Sequence, residues 1–427
     1  MLIAVGARTS PLSQAQVKEV LCELRQHHPH VDFDPKLLPS RGDKDLQTSL
    51  RTLGKTDFFT KEIDELLLED GCRIAIHSAK DLPEPLPKGI CMVALTKGLD
   101  PSDSLVMRPG MTLASLPPGA IIATSSERRE NCVKELRRDL RFCDLRGNIG
   151  QRISKLDTGE ADGVVVAEAA LLRLGLSHLN RLRLPGVTTY LQGQLALLAR
   201  EGDLEMQTLL RCLDTRKKTL YLGLDAPEID YQVDLHHYPV IKIVPRPLKN
   251  PDLQHAFRNL KSYTHLLFTS KNSATLFFDY LQRSGYSHDI MQDKHLFAVG
   301  QATAEVLHLL GGKNIQTAER EQAEGLIEVL ENCDLTRGHV FWPHSALSRP
   351  VLKDYLSKRG VQHYACAIYD TMLQKIEPVP SIETFDEIVF TSPSTVQGFL
   401  AIYGALPKEK SLKAIGPITQ AALDKLT

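Results

Sequence analysis

The sequence predicts an α/β fold in which short strands alternate with helices. Runs rich in β-branched residues are typical of buried strands, and those of the first half are LIAV at 2–5, RIAIHS at 73–78, GAIIATS at 119–125 and GVVVAE at 163–168. Between these runs, apolar residues recur at the i, i+3, i+4, i+7 spacing of a helix face. Strands that alternate with helices favour parallel α/β layers, in which ligands bind at the carboxyl ends of the strands.

Three helices are predicted in the first half. The first begins at Ser10 and Pro11, which are a typical N-cap and first helical residue. Its apolar face holds Val17, Val20, Leu21 and Leu24, and the faces of the next two hold Phe59, Ile63, Leu66 and Leu67, then Val133, Leu136 and Leu140. A polar segment of helical pattern, residues 201–218, ends this half.

The second half opens with a predicted strand, TLYLGL at 219–224, and then repeats a different unit. Residues 265–278 and 387–400 share a strand, Phe-Thr-Ser and a helix with a polar first turn. Residues 296–307 and 412–423 share a strand, a glycine and a helix. Two copies of each unit predict two similar α/β lobes.

Composition and charge exclude several classes of protein. At roughly 100–200 residues per domain, the 427-residue chain predicts two to four domains. Its 51 Lys+Arg against 52 Asp+Glu argue against binding nucleic acid through whole-surface attraction. The N-terminus is too short in apolar residues for a signal peptide, and no apolar stretch is long enough for a membrane span. Eight cysteines without a C-x-x-C pair indicate neither a zinc site nor a disulfide framework. We therefore expect a cytoplasmic protein with no metal and no nucleic-acid or membrane partner.

Basic residues follow four of the predicted strands. The segments are GARTSPLSQAQ at 6–16, HSAKDLP at 77–83, TSSERR at 124–129 and LRGNIGQRISKLD at 145–157. Each places Arg or Lys beside the backbone N–H groups of a helix start, which favours the binding of anions, above all carboxylates. A solvated helix face is the alternative, and it is the better interpretation for Arg137, Arg138 and Arg141.

Asp81 is a lone carboxylate among these cations. It follows Lys80 directly after a predicted strand, in a turn that Pro83 closes. An ionised carboxylate there can pair with a cationic or N–H-bearing reactant, while the local sequence alone favours an N-cap or a salt-bridge partner. RGD at 41–43 predicts a turn, and His77 is expected to be structural.

Together the four segments resemble porphobilinogen deaminase (hydroxymethylbilane synthase) over about residues 1–215. Further matches are FTKE at 59–62, DPSDSLV at 100–106 and the Gln192-Gly193 pair. The resemblance implies two periplasmic-binding-protein-like lobes, made of 1–95 plus 187–215 and of 96–186. It also implies the condensation of four porphobilinogen molecules to hydroxymethylbilane with loss of ammonia.

The resemblance assigns roles to individual residues. Asp81 matches the catalytic carboxylate that protonates the leaving amine and stabilises positive charge on the pyrrole intermediates. Ser10 lies with Gln16 in the matching first loop and is a candidate substrate-binding residue. The positions that hold the acetate and propionate groups are matched by Arg8, Lys80, Arg128, Arg129, Arg146, Arg152 and Arg173. Because each pyrrole unit carries two carboxylates, many cations around one anion suit these roles.

The first half also departs from the family. The family has a third domain, whose Gly-Gly-Cys loop holds a dipyrromethane cofactor through a thioether, and no Gly-Gly-Cys occurs here. Cys212 lies closest in order, although a half-buried helix residue is its simpler interpretation. Three alternatives stay open: a thiol such as Cys212 carries the cofactor, the cofactor binds without a thioether, or this half is impaired. A family lysine is replaced by Thr56, with Lys55 displaced by one position.

The second half resembles uroporphyrinogen-III synthase over about residues 218–427. The motifs that match in order are HYPVIKIVP, FTSKNSA, AVGQATA, AEGL, IYDT, FTSPSTVQGF and AIGPITQAAL. The resemblance implies two Rossmann/flavodoxin-like lobes, 218–248 plus 372–427 and 249–371. It also implies closure of hydroxymethylbilane to uroporphyrinogen III with inversion of the last pyrrole.

By this resemblance Tyr369 matches the family tyrosine that assists loss of the terminal hydroxyl. The alternative is that Tyr369 is a packing residue between the lobes. Hydroxyl groups at helix starts suit a site that works mainly by positioning, although N-capping explains each of them. The candidates are Ser270, Thr391 and Ser392. As departures, an expected arginine is Asp225, and the chain stops at Thr427, before the last strand and helix of the family.

The sequence thus predicts a bifunctional enzyme of tetrapyrrole (haem) biosynthesis, a transferase joined to a lyase, acting as a monomer on porphobilinogen and hydroxymethylbilane. The alternative is that only the synthase half is active, and that the first half is a non-catalytic pyrrole-binding or scaffold module. Because hydroxymethylbilane closes spontaneously to the wrong isomer, we also hypothesise that linking the two sites favours correct closure.

Overall fold

The computed structural model describes residues 1–45, 48, 51 and 56–426. Lys55 and Thr427, which entered the sequence interpretation, lie outside the described residues. The chain forms two compact units. Unit 1 consists of Met1–Lys218 and Glu228–Asp234, and unit 2 consists of Thr219–Pro227 and Leu235–Thr427. The sequence-based division placed residues 228–234 in the synthase half, whereas in the structure they pack with unit 1.

Unit 1 alternates strands and helices as the sequence predicts. Its strands are β1 Leu2–Arg8, β2 Asp32–Leu38, β3 Ile74–Ser78, β4 Ile90–Leu95, β5 Asp103–Met107, β6 Ile121–Ala123, β7 Arg141–Cys143, β8 Gly163–Ala167, β9 Arg181–Arg183 and β10 Leu195–Arg200. Its helices are α1 Pro11–His27, α2 Arg41–Lys44, α3 Lys61–Leu68, α4 Glu127–Leu136, α5 Ile149–Asp157, α6 Glu168–Arg173 and α7 Leu204–Leu210.

The strands of unit 1 form two five-stranded sheets, with orders β2-β1-β3-β10-β4 and β7-β6-β8-β5-β9. In line with the predicted parallel layers, β1 pairs parallel with β2 and β3, and β6 pairs parallel with β7 and β8. However, β10 runs antiparallel to β3 and β4, and β5 runs antiparallel to β8 and β9. Both sheets are therefore mixed. The chain passes between the sheets twice, after β4 and before β10, because β10 closes the first sheet only after the second sheet is complete.

Helices cover both faces of the first sheet. On one face α1 packs Val17, Val20 and Leu21 against a cluster that includes Ile74. On the other face α3 packs against a cluster that includes Ala75, so neighbouring residues of β3 point to opposite layers. The second helix is shorter than predicted, because Phe59 lies in a separate 3-10 turn. The third ends at Leu136 and leaves Leu140 in the connection to β7.

Unit 2 contains the remaining elements. Its strands are β11 Lys217–Tyr221, β12 Val233–His237, β13 Ile241–Pro245, β14 His265–Phe268, β15 His295–Ala298, β16 Ile315–Thr317, β17 His339–Ser345, β18 Gln362–Leu373, β19 Glu387–Phe390 and β20 Ser411–Ala414, of which β11 and β12 begin on residues of unit 1. Its helices are α8 Pro251–Arg258, α9 Lys271–Arg283, α10 Gln301–Leu309, α11 Ala323–Glu331, α12 Val351–Lys358, α13 Pro393–Tyr403 and α14 Pro417–Asp424.

These strands form a four-stranded sheet, β12-β11-β19-β20, and a six-stranded sheet, β13-β18-β17-β14-β15-β16. The sequence-based division placed β13 in the lobe of residues 218–248. In the structure β13 pairs antiparallel with the far end of β18, from Tyr369 to Leu373, and so belongs to the larger sheet. Among the described residues, no helix is both long and apolar enough to cross a membrane.

Candidate active site

Unit 1 contains a cavity of about 540 Å³ at the carboxyl ends of its parallel strands. Arg8 ends β1, and Lys80 and Asp81 follow β3. On the second sheet, Arg129 lies in the first turn of α4, and Arg152 lies in α5 after β7. The cavity wall includes Arg8, Ser10, Asp43, Phe59, Lys80, Asp81, Ser125, Ser126, Arg129, Arg146, Asn148 and Arg152. The four basic segments that the sequence singled out therefore meet at one place.

Helix N-termini contribute to this wall. Ser10 caps α1 and accepts a hydrogen bond from the N–H of Ser13, and Asn148 forms a capping box with Gln151 at the start of α5. Ser126 caps α4 without a side-chain hydrogen bond. The positive end of each helix favours anions, and it adds to the charge of the side chains beside it.

Asp81 is partly exposed in the cavity wall, at the end of a 3-10 turn. Among the described residues it has no hydrogen-bonding partner for its side chain and no cation within 4.0 Å. Its charge nevertheless favours the protonated forms of Lys80 and Arg152. The N-cap and salt-bridge interpretations of Asp81 are thus not realised in the described part of the chain, and its carboxylate is available to a ligand.

The lowered pKa values of Lys80 and Arg152 show that cations lie close together in the cavity wall. Burial and the charge of Arg129 lower the pKa of Lys80 to about 8, against partial compensation by Asp81. Burial, Arg129 and Arg146 lower the pKa of Arg152 to about 10. Lys80 donates to the Oε1 of Gln192 at 3.1 Å, and Arg152 donates to the carbonyl of Gly147 at 2.7 Å. An entering carboxylate would relieve this repulsion, so the wall favours polyanionic ligands.

Arg128 and Arg129 share a carboxylate that the sequence interpretation did not select. Asp103 is 1% exposed, and it accepts hydrogen bonds from Arg128, from Arg129 and from the Nε2 of Gln192. Burial alone would raise the pKa of Asp103, but the two guanidinium groups hold it below its usual value. Asp103 belongs to the DPSDSLV motif, which was the available signal.

Arg8 also has an internal partner at the cavity. Its guanidinium forms a two-pronged contact with Asp43 and lies 4.8 Å from the centre of the Phe59 ring. Asp43 closes a capping box with Ser40. Although burial opposes the shift, Arg8 and Ser40 lower the pKa of Asp43. RGD at 41–43 is therefore a helical turn that serves the site, which the turn prediction did not include.

The structure separates two predicted arginines from the wall. Arg128 points to Asp103 and to the carbonyl of Val187. Arg173 is 4% exposed in its side chain and binds Glu19 of α1 and the carbonyl of Gly193. Both guanidinium groups are used to hold protein segments together, because each lies opposite an internal acceptor. By contrast, the buried Nε of Arg146 has no acceptor among the described residues.

Cys212 does not lie at the cavity. Its Sγ is 3.6 Å from the Nε2 of His28, which caps the far end of α1. The 17 residues of α1 separate that end from Ser10 by about 25 Å, at 1.5 Å per residue. The Nε2 of His28 also lies 2.8 Å from the carbonyl of Leu209, and burial raises the pKa of the thiol. None of the eight cysteines, all in the described part of the chain, lines the cavity.

His77 is structural, as expected. It faces away from the cavity, and its Nε2 lies 3.2 Å from the carboxylate of Asp64 on α3. Both side chains are buried between β3 and α3. No group of three or more candidate metal ligands occurs among the described residues.

In unit 2, Tyr369 and Ser270 meet at the carboxyl end of β14. Their hydroxyl oxygens are 3.0 Å apart, and Tyr369 is 5% exposed. Ser345, which the sequence interpretation missed, pairs with Tyr369 in the β17–β18 ladder, and its hydroxyl acts to lower the pKa of Tyr369. Burial raises the pKa of Tyr369, and the two serine hydroxyls oppose part of that rise because they stabilise the phenolate.

Thr391 and Ser392 lie on the other sheet of unit 2, directly after β19. Ser392 caps α13 by accepting from the N–H of Thr395, and the N–H of Thr391 donates to the Oγ1 of Thr395. No hydrogen bond joins either residue to Tyr369 or Ser270 among the described residues. The capping interpretation accounts for the contacts of Ser392, and the structure does not bring the two hydroxyl sets into direct contact.

Comparison with known proteins also divides the chain into two parts, although residues 229–234 of unit 1 fall within the second match. Residues 3–208 match the model of the porphobilinogen deaminase, dipyromethane cofactor binding domain, and residues 229–427 match that of uroporphyrinogen-III synthase HemD. A porphobilinogen deaminase from Gloeobacter violaceus is 38% identical over 50% of this chain and 67% of its own length. One from Streptococcus sanguinis is 39% identical over 52% of this chain and 76% of its own.

Among solved structures, a mutant uroporphyrinogen III synthase from Thermus thermophilus covers 49% of this chain and 89% of that chain, with 16% identity and a TM-score of 0.37. The methionine binding protein MetQ covers 50% and 89%, with 14% identity and a TM-score of 0.35. From its sequence matches, the chain belongs to the porphobilinogen deaminase family in its first half and carries a uroporphyrinogen-III synthase domain in its second.

Proposed function

We propose that unit 1 condenses four porphobilinogen molecules to hydroxymethylbilane and that unit 2 closes this product to uroporphyrinogen III. The observation that supports the first activity is the carboxylate of Asp81, which has no partner among the described residues and lies in a wall of cations. Porphobilinogen carries two carboxylates, which can pair with the cations of the wall, and a cationic aminomethyl group, which can pair with Asp81. Lys80, Arg129, Arg146 and Arg152 bind the carboxylates.

In each condensation, the aminomethyl carbon of one pyrrole loses its amine as ammonia and bonds to the free α-carbon of another. The ammonium form of the aminomethyl group already carries the proton with which it leaves as ammonia, and the carboxylate of Asp81 pairs with this group and then stabilises the cation that forms on the pyrrole. The α-carbon then loses its hydrogen as a proton, which Asp81 takes and passes to the released ammonia. The carboxylate is thereby restored, so it serves in all four condensations, and water supplies the terminal hydroxyl when the product is released.

The cavity fits the acidic side chains of a dipyrromethane but supplies no thiol for a thioether. Arg8, Arg146 and Arg152 are the residues that would hold its carboxylates, and bound there it would supply the free α-carbon that the first porphobilinogen extends. We propose that this group binds through ionic contacts. Intact mass of the purified chain tests the proposal, since a covalent dipyrrole adds a defined increment.

In unit 2, we propose that Tyr369 donates its proton to the hydroxyl that leaves the terminal pyrrole as water. Ser270 and Ser345 stabilise the resulting phenolate. Ser392 and Thr391 bind carboxylates of the substrate from the other sheet. Cytoplasmic location and a monomeric state belong to the same proposal, and cell fractionation and light scattering test them.

The decisive experiment assays the purified full chain with porphobilinogen. We expect Asp81→Asn to lower the rate of ammonia release about 100-fold or more. Asp139→Asn, which removes a surface carboxylate paired with Arg137, serves as the control and should leave the rate unchanged. If the wild-type chain releases no ammonia but converts added hydroxymethylbilane to the type III isomer, only the synthase half is active.

A further inference from the structure

The chain enters unit 1 a second time through a short segment, Glu228–Asp234, which we call the strap. Tyr231 is the buried residue of the strap, with 8% of its surface exposed. Ile229, two positions earlier, is 54% exposed. A plain connector between two domains does not require a buried aromatic side chain, so the strap has the character of a docked peptide.

Tyr231 is held by both packing and a hydrogen bond. Its ring belongs to the core cluster that includes Leu82 and Leu191, with Leu86 packed against it. Its hydroxyl donates to the carbonyl oxygen of Pro83 at 3.1 Å. A tyrosine that buries its ring and pairs its hydroxyl makes a specific anchor.

A second anchor lies beside the first. The hydroxyl of Tyr190 donates to the carboxylate of Asp230 and accepts from the N–H of Gln232 at 3.2 Å. The same N–H lies 2.9 Å from the carboxylate of Asp230. Tyr190 thus uses both its donor and an acceptor site on the strap, and it directly precedes Leu191, which belongs to the same core cluster as Tyr231.

Both segments that the strap contacts lead directly to the cavity. Leu82 and Pro83 follow Asp81 in the chain. Leu191 precedes Gln192, whose Oε1 accepts from Lys80 at 3.1 Å and from Arg129 at 3.3 Å. The strap therefore contacts the chain directly beside Asp81 and directly beside Gln192. The side-chain amide of Gln192 binds Lys80 and Arg129.

We propose that the strap is an integral part of the deaminase unit, bound to a surface formed by Leu82, Pro83, Leu86, Tyr190 and Leu191. Tyr231 and Tyr190 are positioning residues, since neither lines the cavity. Residues 229–234 fall within the match to the synthase family, so a segment of the second domain completes the first. The two activities then cannot be separated by cutting the chain before Glu228 without loss to the deaminase site.

Hydrogen exchange of the full chain tests this proposal without reference to activity. We expect Tyr231→Ala to accelerate amide exchange at least tenfold in residues 190–193 and at Leu82, Glu84 and Leu86, which are the residues of 82–86 that carry an amide hydrogen. Tyr231→Phe, which keeps the packing, should accelerate it about threefold at residues 82–86, from loss of one hydrogen bond. Ile229→Ala is the matched control within the strap and should change neither segment.

Two results would overturn the proposal: unchanged exchange in both segments of Tyr231→Ala, or equal acceleration in Ile229→Ala. If Tyr231→Ala fails to fold, Tyr231→Phe and Tyr190→Phe decide the question by the same measurement.

A kinetic measurement rests on the proposed function. We expect Tyr190→Phe to raise the KM for porphobilinogen about fivefold and to change kcat less than twofold, because the strap orients binding groups and not the reacting atoms. A wild-type chain that condenses no porphobilinogen would refute the proposed function, while the exchange experiment would still decide the role of the strap.

Discussion

Asp103 and Arg129 form a buried ion pair directly behind the cavity of unit 1, with the Nη2 of the guanidinium 2.5 Å from the carboxylate. Arg129 presents its other side to the cavity wall and, through Gln192, contacts Lys80. The pair therefore links the stability of unit 1 to the placement of its binding groups.

Asp103→Asn should destabilise unit 1. Removal of one partner from a buried pair costs about 3 kcal/mol, and two guanidinium groups lose their counterion. Urea unfolding of the full chain at pH 7, followed by circular dichroism, measures the loss. The sole tryptophan, Trp342, lies in unit 2, so an unchanged fluorescence transition is the internal control.

Asp103→Asn also tests how the stability of unit 1 depends on pH. The folded pKa of Asp103 is lower than its ordinary value of 3.8. Its contribution is therefore fully present above pH 4 and disappears as the pH falls through the folded pKa. The difference between wild type and Asp103→Asn should shrink below pH 4, and a constant difference would contradict the ion-pair interpretation.

Lys80 should set the alkaline limb of the deaminase pH profile. Because its pKa is lowered to about 8, it loses its charge above pH 8 and then binds a carboxylate more weakly. We expect kcat/KM for porphobilinogen to fall above pH 8 and Lys80→Arg to shift this limb upward, since arginine stays protonated. A limb at the same pH in both proteins would assign it to another group.

Arg152→Leu should weaken the binding of porphobilinogen without destabilising unit 1. The variant removes a buried cation that Arg129 and Arg146 repel, so the free energy of unfolding should stay the same or rise by about 1 kcal/mol. The KM for porphobilinogen should rise tenfold or more, through loss of a charged contact worth about 1.5–3 kcal/mol. Arg138→Leu on the exposed side of unit 1 is the control, with no expected change in KM.

Tyr369→Phe should slow formation of the type III isomer about 100-fold, so that spontaneous closure to the other isomer dominates. Ser345→Ala should slow it about fivefold, because one hydrogen bond to the phenolate is lost. Isomer ratios from added hydroxymethylbilane measure both effects. Ser357→Ala, on the exposed end of α12, is the control, and an equal effect there would contradict the role of Ser345.

The sequence by itself determined the α/β class, the N-cap at Ser10, the four basic segments and both family resemblances. These features depend on local patterns, since strand and helix periodicity and capping extend over a few residues. The grouping of the basic segments within each sheet also follows from the sequence, because the ends of parallel strands meet at one edge of a sheet, whereas the meeting of segments from two sheets at one cavity is seen only in the tertiary structure.

Only the tertiary structure decided which charged side chains pair with acceptors inside the protein. Arg128 and Arg173 are predicted from the sequence to bind substrate carboxylates, yet each faces an internal acceptor, whereas Asp81 has none among the described residues. Cys212 follows the matched half in sequence but lies a helix length from the cavity. The strap joins residues more than a hundred positions apart, Pro83 and Tyr231. Pairing of this kind depends on which side chains the packed sheets bring within about 3 Å, and no local pattern encodes that distance.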